Sequence, residues 1–214
     1  MHRVTVRSDT MRAVSLRPAQ DVELHLQEPS GRRVKRRYTI RYARPVGGEI
    51  DLDVVLHGPG PGAHWGEHAR PGDTVSFQGP RGKLELRPAP HHLLVGDESA
   101  LPALASISEA LPDGERASAY VEVTDETDEV PFAAASLTWL HRGSRPPGTA
   151  ELFGPALGRL AVEPGTRAYL LGETRTMVAL RALLEARGVA HDSIFVKGYW
   201  NVGRPDRIAG RAPT

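Results

Sequence analysis

The sequence predicts a two-domain β then α/β protein. An antiparallel β-barrel is expected over residues 1–90, a parallel-sheet α/β domain over 91–203, and a flexible tail over 204–214. Three observations predict this. Short runs of alternating apolar and polar residues fill the first part of the chain. Beyond Pro90 the apolar runs become continuous, and segments of helical period follow them. Glycine and proline clusters separate nearly every run, in a chain with 22 glycines and 18 prolines.

In order, the alternating runs are Val4 and Val6; Val22, Leu24 and Leu26; Tyr38, Ile40 and Tyr42; Ile50, Leu52 and Val54; Val75 and Phe77; and Leu84 and Leu86. They predict six strands, a number that suits an antiparallel barrel. The Gly58-to-Gly62 run reads as a turn. Gly66 and the run Arg70-Pro71-Gly72 argue against a helix that would bring His64 and His68 together, so no metal site is expected there. In the second domain, Leu93-Leu94-Val95 predicts a buried strand and Ser99 to Leu111 a helix. Tyr120 to Val123, Leu137 to Leu140, Tyr169 to Leu171 and Ile194 to Val196 predict further strands, with a helix over Thr176 to Arg187 closed by Gly188. Two units repeat: Leu93 to Leu111 and Tyr169 to Arg187 each run strand, glycine, acid, helix. In open α/β sheets, ligands bind at the edge where such loops emerge.

Composition narrows the chemistry. With 27 Lys and Arg against 26 Asp and Glu, the chain carries a net charge of +1, and no nucleic-acid partner is expected. The absence of cysteine excludes disulfides, Cys-held zinc and iron–sulfur clusters. The amino-terminal residues lack a signal-peptide pattern and no apolar run is long enough for a bilayer, so a cytoplasmic location without membrane insertion is expected.

The run Arg36-Arg37-Tyr38-Thr39-Ile40-Arg41 is the most informative. On a strand, Arg36 and Tyr38 share one face about 7 Å apart, since each residue rises roughly 3.3 Å. A guanidinium beside a phenol suits a ligand that carries a pyrophosphate next to an aromatic ring. The same spacing also serves an ordinary strand with solvated arginines. The block Gly96-Asp97-Glu98-Ser99 lies where a dinucleotide could meet a helix start, yet Asp97 and Glu98 repel phosphate. Carboxylates that favour a helix dipole give that block an equally good purely structural role. Gly172-Glu173-Thr174-Arg175 repeats the pattern.

Five blocks in order, RRYTIR, LDVVLHG, GPGAHW, VGDESALPA and KGYWNVG, resemble the siderophore-interacting protein family, a branch of the ferredoxin-reductase-like flavoproteins. The resemblance covers roughly residues 34–203. It implies a non-covalent FAD in the barrel, a nicotinamide-binding second domain, and FAD-dependent reduction of a ferric siderophore to release Fe(II), with NADPH or NADH as electron donor. Residue by residue, it implies that Arg36 holds the FAD pyrophosphate, Tyr38 stacks on the flavin, Thr39 bonds near the reactive ring edge and His57 approaches the ring. Ala63 and Trp65 lie in the loop, Gly60 to Trp65, that wraps the pyrophosphate; at Ala63 the family usually has a hydroxyl residue. Gly96, Asp97 and Glu98 take a nicotinamide role, and Trp200 shields the flavin. Lys197 offers a cation to an anionic siderophore, although a solvated lysine beside core aromatics explains it as well. No side chain is expected to act as acid, base or nucleophile, and a monomer is expected. Two other functions fit the same blocks: a flavin or electron-carrier reductase, and a non-enzymatic siderophore or flavin carrier.

Overall fold

A computed structural model describes residues 1–28, 30–56, 58 and 60–203. The chain divides into two compact units, Met1–Glu85 and Leu86–Thr214. The first is all-β apart from short helical segments, and the second alternates strands with helices around a parallel sheet, as the sequence predicts.

The first unit contains β1 (His2–Arg7), β2 (Asp21–Gln27), β3 (Arg33–Arg44), β4 (Glu49–Val54) and β5 (Ser76–Arg81), with helix α1 (Pro61–His68) between β4 and β5. The strands run antiparallel in the order β1-β4-β3-β2-β5. At twelve residues, β3 is long enough to pair with β2 over its first half and with β4 over its second. A register shift between Ile40 and Tyr42 lies in the second ladder. The alternating residues Val22, Leu24, Leu26, Ile40, Ile50 and Leu52 form the core. Outward-facing charges are matched across strands. Glu23 on β2 meets Lys35 at 3.0 Å, Arg81 at 3.0 Å and Arg37 at 3.7 Å. Burial alone would raise the Glu23 carboxyl, but these cations outweigh it and hold the group below its ordinary range. Arg32 forks onto Glu28. Lys35 and Arg37 of the basic run thus serve cross-strand pairing.

Two expectations fail here. Leu84–Leu86 makes no sixth strand; the chain from residue 82 to 89 has no ladder partner, although Leu84 is buried. Pro88 and Pro90, both following Leu86, cannot donate to a ladder, so the alternation reflects burial of an unpaired segment. The expected loop at Gly60 to Trp65 is instead the start of α1, a helix that runs through Gly66. Pro61 opens it with a fixed helical φ. Glycines cost helix stability, roughly 1 kcal/mol each relative to alanine. Here close packing requires them: a Cβ at Gly62 would collide with the Tyr38 hydroxyl, and one at Gly66 would sit 2.7 Å from Val54 Cγ1.

The second unit contains β6 (His91–Asp97), α2 (Leu101–Glu109), β7 (Arg116–Val123), β8 (Ser136–His141), α3 (Phe153–Gly158), β9 (Arg167–Glu173), α4 (Thr174–Ala186) and β10 (Ile194–Trp200). Its sheet is parallel, in the order β10-β9-β6-β7-β8. The chain builds outward from β6 to β8, then returns to place β9 on the other side of β6. The β6/β9 boundary is therefore the switch point of the sheet. Leu93 and Val95 face the α3 and α4 side with Leu170, Met177 and Leu180. Leu94 is equally buried, and α2 supplies the buried Leu104 and Ile107. A fully buried leucine contributes roughly 1.5–3 kcal/mol, so an apolar strand covered on both faces dominates this core. Among the described residues, no helix is long and apolar enough to cross a membrane.

Candidate functional site

Two clusters of candidate side chains emerge, one in each unit. In the β unit, strand alternation puts Arg36 and Tyr38 on one face of β3, opposite Leu24 and Val22 of β2. Helix α1 lies against that face. The Tyr38 ring meets Trp65 at 5.8 Å between centroids, tilted by 41°. Burial pushes the Tyr38 phenol up to about 12, against the opposing pull of the Arg36 charge, so it stays neutral at any physiological pH. Arg36 is half-buried, donates from Nη1 to the Lys35 carbonyl at 2.9 Å, and has its Cγ 3.9 Å from where a Gly62 Cβ would stand.

The start of α1 is therefore next to the Arg36 side-chain stem and the Tyr38 phenol. Gly60, its N-cap, has no side chain to cap the helix, and its first turn contains no acid. Early helix N–H groups lack partners within the helix, and the positive end of the dipole favours an anion. A pyrophosphate fits this arrangement, and the lack of side chain at Gly62 leaves Tyr38 its place against the helix. Ala63 is buried and offers its backbone rather than a hydroxyl. Trp65 packs against the β core as well as Tyr38. Thr39 is buried at the start of the second half of β3. The structure thus brings together Arg36, Tyr38, Ala63 and Trp65. His57 lies outside the described residues, as does the tail 204–214. His64 and His68 do approach each other, with ring centroids 4.2 Å apart and His68 Nδ1 2.8 Å from the His64 carbonyl. Among the described residues, no group of three or more potential metal ligands forms.

In the α/β unit, the sequence-predicted residues converge at the carboxyl ends of β6 and β9. Asp97 is buried at the end of β6. Its Oδ1 accepts from the Ser99 amide at 3.0 Å and from the Ser99 hydroxyl. Its Oδ2 accepts from the Glu173 amide at 2.9 Å and from the Trp200 indole Nε1 at 2.8 Å. Burial raises the Asp97 carboxyl, and these hydrogen bonds draw it back. Glu173 repeats the pattern on β9, accepting from the Thr176 amide at 2.7 Å and the Val202 amide at 3.3 Å. Trp200 is thereby fixed to the second unit's own sheet edge. Lys197, three residues earlier on β10, has its Nζ 4.9 Å from the Tyr199 ring centroid.

Sequence reasoning missed the partners of Glu98. Its carboxylate is forked by Arg142, with both bonds at 2.8 Å, and Arg142 also donates to Thr124 at 2.7 Å. Arg142 lies 3.9 Å from Glu122, an almost wholly buried acid on β7. Burial first, then the charge of Asp97, push the Glu122 carboxyl up to about 7; Arg142 and the Gly148 backbone offset this in part. The ends of β7 and β8 also frame an open cavity of about 480 Å³, lined by Thr124, Asp125, His141, Arg142 and Arg145 among others. An acid and an arginine at two strand ends carry no sequence signal until the strands are known to be neighbours.

An antiparallel β unit followed by a parallel α/β unit defines a ferredoxin-reductase-like protein. The same fold occurs in a ferredoxin NADP+ reductase from Neisseria gonorrhoeae with bound FAD and NADP, at 15% identity and a TM-score of 0.66 over 92% of each chain. The family models are more specific: residues 3–84 match a siderophore-interacting FAD-binding domain and 89–203 match siderophore-interacting protein. The chain belongs to the siderophore-interacting protein family. It is 32% identical to the ferric vibriobactin reductase ViuB of Vibrio cholerae over 185 residues, spanning 82% of this chain and 68% of that protein. A solved siderophore utilization protein from T. fusca shares 32% identity and a TM-score of 0.85, covering 94% of this chain and 87% of that one.

Proposed function

We propose that this protein is an FAD-dependent oxidoreductase that reduces ferric siderophores and releases their iron as Fe(II), with NADPH or NADH as electron donor. One observation carries the reading. Arg36, Tyr38 and the start of α1 lie side by side, the Arg36 stem and the Tyr38 hydroxyl both against Gly62, within a unit that matches a siderophore-interacting FAD-binding domain.

FAD, when bound, accepts an electron pair and passes electrons on singly, which reconciles a hydride donor with one-electron reduction of Fe(III). The chain's own residues bind and orient. Arg36 holds the pyrophosphate through charge-assisted hydrogen bonds, and the first N–H groups of α1, including that of Ala63, supplement it. The neutral ring of Tyr38, backed by Trp65, packs on the flat face of the ring system. Thr39 would supply a hydroxyl to the ring system. Lys197 attracts an anionic ferric chelate. None of these groups has to move a proton. The strand ends of the α/β unit fit the pyrophosphate of a nicotinamide donor poorly, because Asp97 and Glu173 already take the nearest helix-start amides. The reading therefore rests on the flavin cradle. ViuB is named a ferric vibriobactin reductase, which supports the choice of acceptor.

The test is anaerobic: FAD-loaded protein, NADPH or NADH, a ferric hydroxamate or catecholate siderophore, and an Fe(II)-specific chromogenic chelator. The expected result is a ferrous complex formed well above the protein-free control. Flavin bleaching without any ferrous product from either siderophore class would overturn the choice of acceptor.

A further inference from the structure

We infer that the switch point of the α/β unit is closed to a dinucleotide pyrophosphate, because the carboxylates of Asp97 and Glu173 occupy the positions that phosphate oxygens take in dinucleotide-binding folds. The inference concerns the second unit alone and does not depend on the flavin reading.

In open parallel sheets that bind dinucleotides, glycines at the first strand end let the backbone approach the pyrophosphate, which then accepts from amides at the helix start. This chain has a glycine at both relevant strand ends, but each serves an internal contact. A Cβ at Gly96 would collide with the Leu171 carbonyl, so that glycine lets β6 and β9 close on each other. A Cβ at Gly172, where φ is +153°, would stand 2.5 Å from Asp97 Oδ2. The close backbone approach made possible by Gly172 is thus to a carboxylate of the same chain.

The donors are committed in the same way. The amides of Ser99 and Glu173 donate to Asp97, and that of Thr176 to Glu173. Pro102 removes one further donor from the first turn of α2. Three amides at these strand ends are thus bonded to two acids, and a diphosphate brought there would meet two carboxylates at close range. Two further segments cover the edge. The Trp200 indole is held on Asp97, and Gly148 packs so tightly that a Cβ there would lie 2.8 Å from Glu173 Cγ and 2.9 Å from Trp200 Cη2. Glu98 adds no opening, since Arg142 neutralises it with a bidentate pair. A nicotinamide donor consequently meets this protein with its diphosphate held away from the β6/β9 boundary.

The experiment is a titration of isotope-labelled full-length chain with inorganic pyrophosphate, NAD+ and NADP+ into the millimolar range. The amide signals of Ser99, Glu173 and Thr176 and the Trp200 indole N–H are followed by NMR. The expected result is that these four signals stay in place with every probe, whether the probe binds elsewhere on the chain or not at all. Saturable movement of the three amides together with loss of the protected indole N–H, for any probe, would overturn the inference. A chain that refuses FAD can still be titrated, so failure here and failure of the flavin reading are separable.

Discussion

Replacing Glu122 by glutamine keeps the shape of the side chain and removes its proton. In the folded protein this carboxyl titrates at about 7, against an ordinary value of 4.5, chiefly because it is buried and the charge of Asp97 lies near. Its folded-state value is raised, so the neutral form suits the native state, and stability falls as pH climbs from the unfolded value through the folded one. Integrated between those values at 1.36 kcal/mol per pH unit, the loss is under about 1 kcal/mol at pH 5 and about 3 kcal/mol at pH 8. Glu122→Gln escapes that loss. The variant is expected to exceed the wild type by under about 1 kcal/mol at pH 5 and by up to about 3 kcal/mol at pH 8, the latter roughly 6–12 °C in melting temperature for a chain of this size. Thermal unfolding followed by circular dichroism at both pH values, with wild type and variant side by side, measures this. A pH-independent difference, or a variant that melts lower at pH 8, would refute the reasoning: the carboxylate would then be well satisfied where it lies.

Arg36→Ala removes the guanidinium beside the α1 start. If that group holds a pyrophosphate, FAD affinity should fall about 10- to 150-fold, the equivalent of a charged hydrogen bond worth roughly 1.5–3 kcal/mol; fluorescence titration of the apoprotein reads it, and an unchanged affinity counts against the cradle. Arg142→Leu strands the buried Glu98 carboxylate, and removal of one partner from such a pair costs about 3–5 kcal/mol. Urea denaturation near neutral pH should show that loss, and a difference below about 1 kcal/mol would mean that solvent already screens the pair.

Much of the architecture was legible because it follows from period. Alternation at Val22, Leu24 and Leu26 and the unbroken run Leu93-Leu94-Val95 each match the strand that forms there. What failed was local propensity against tertiary contact. Gly66 argued against a helix, yet Val54 and Leu56 leave no room for any larger residue on that face of α1. Leu84 and Leu86 alternate like a strand, but no neighbour pairs with them. In the candidate sites, Arg36 and Tyr38 were visible because two residues on one strand face need only a period of two. Arg142 and Glu122 were not, because their meeting depends on β7 and β8 being neighbours. Asp97 was visible as an acid at a helix start, and the sequence already showed that it would repel phosphate. That it also receives Glu173 and Trp200, 76 and 103 residues away, is a matter of tertiary structure alone.

The glycine–acid pairs at the ends of β6 and β9 look, in one dimension, like a socket, and in three dimensions they are a lock. Anyone who tried to graft cofactor affinity onto this edge would have to delete the acids first. Deleting Asp97 would leave two amides and an indole N–H without acceptors, loosening the junction of three strands in the same stroke. Gain of a ligand and cohesion of the domain are therefore set against each other in a handful of atoms.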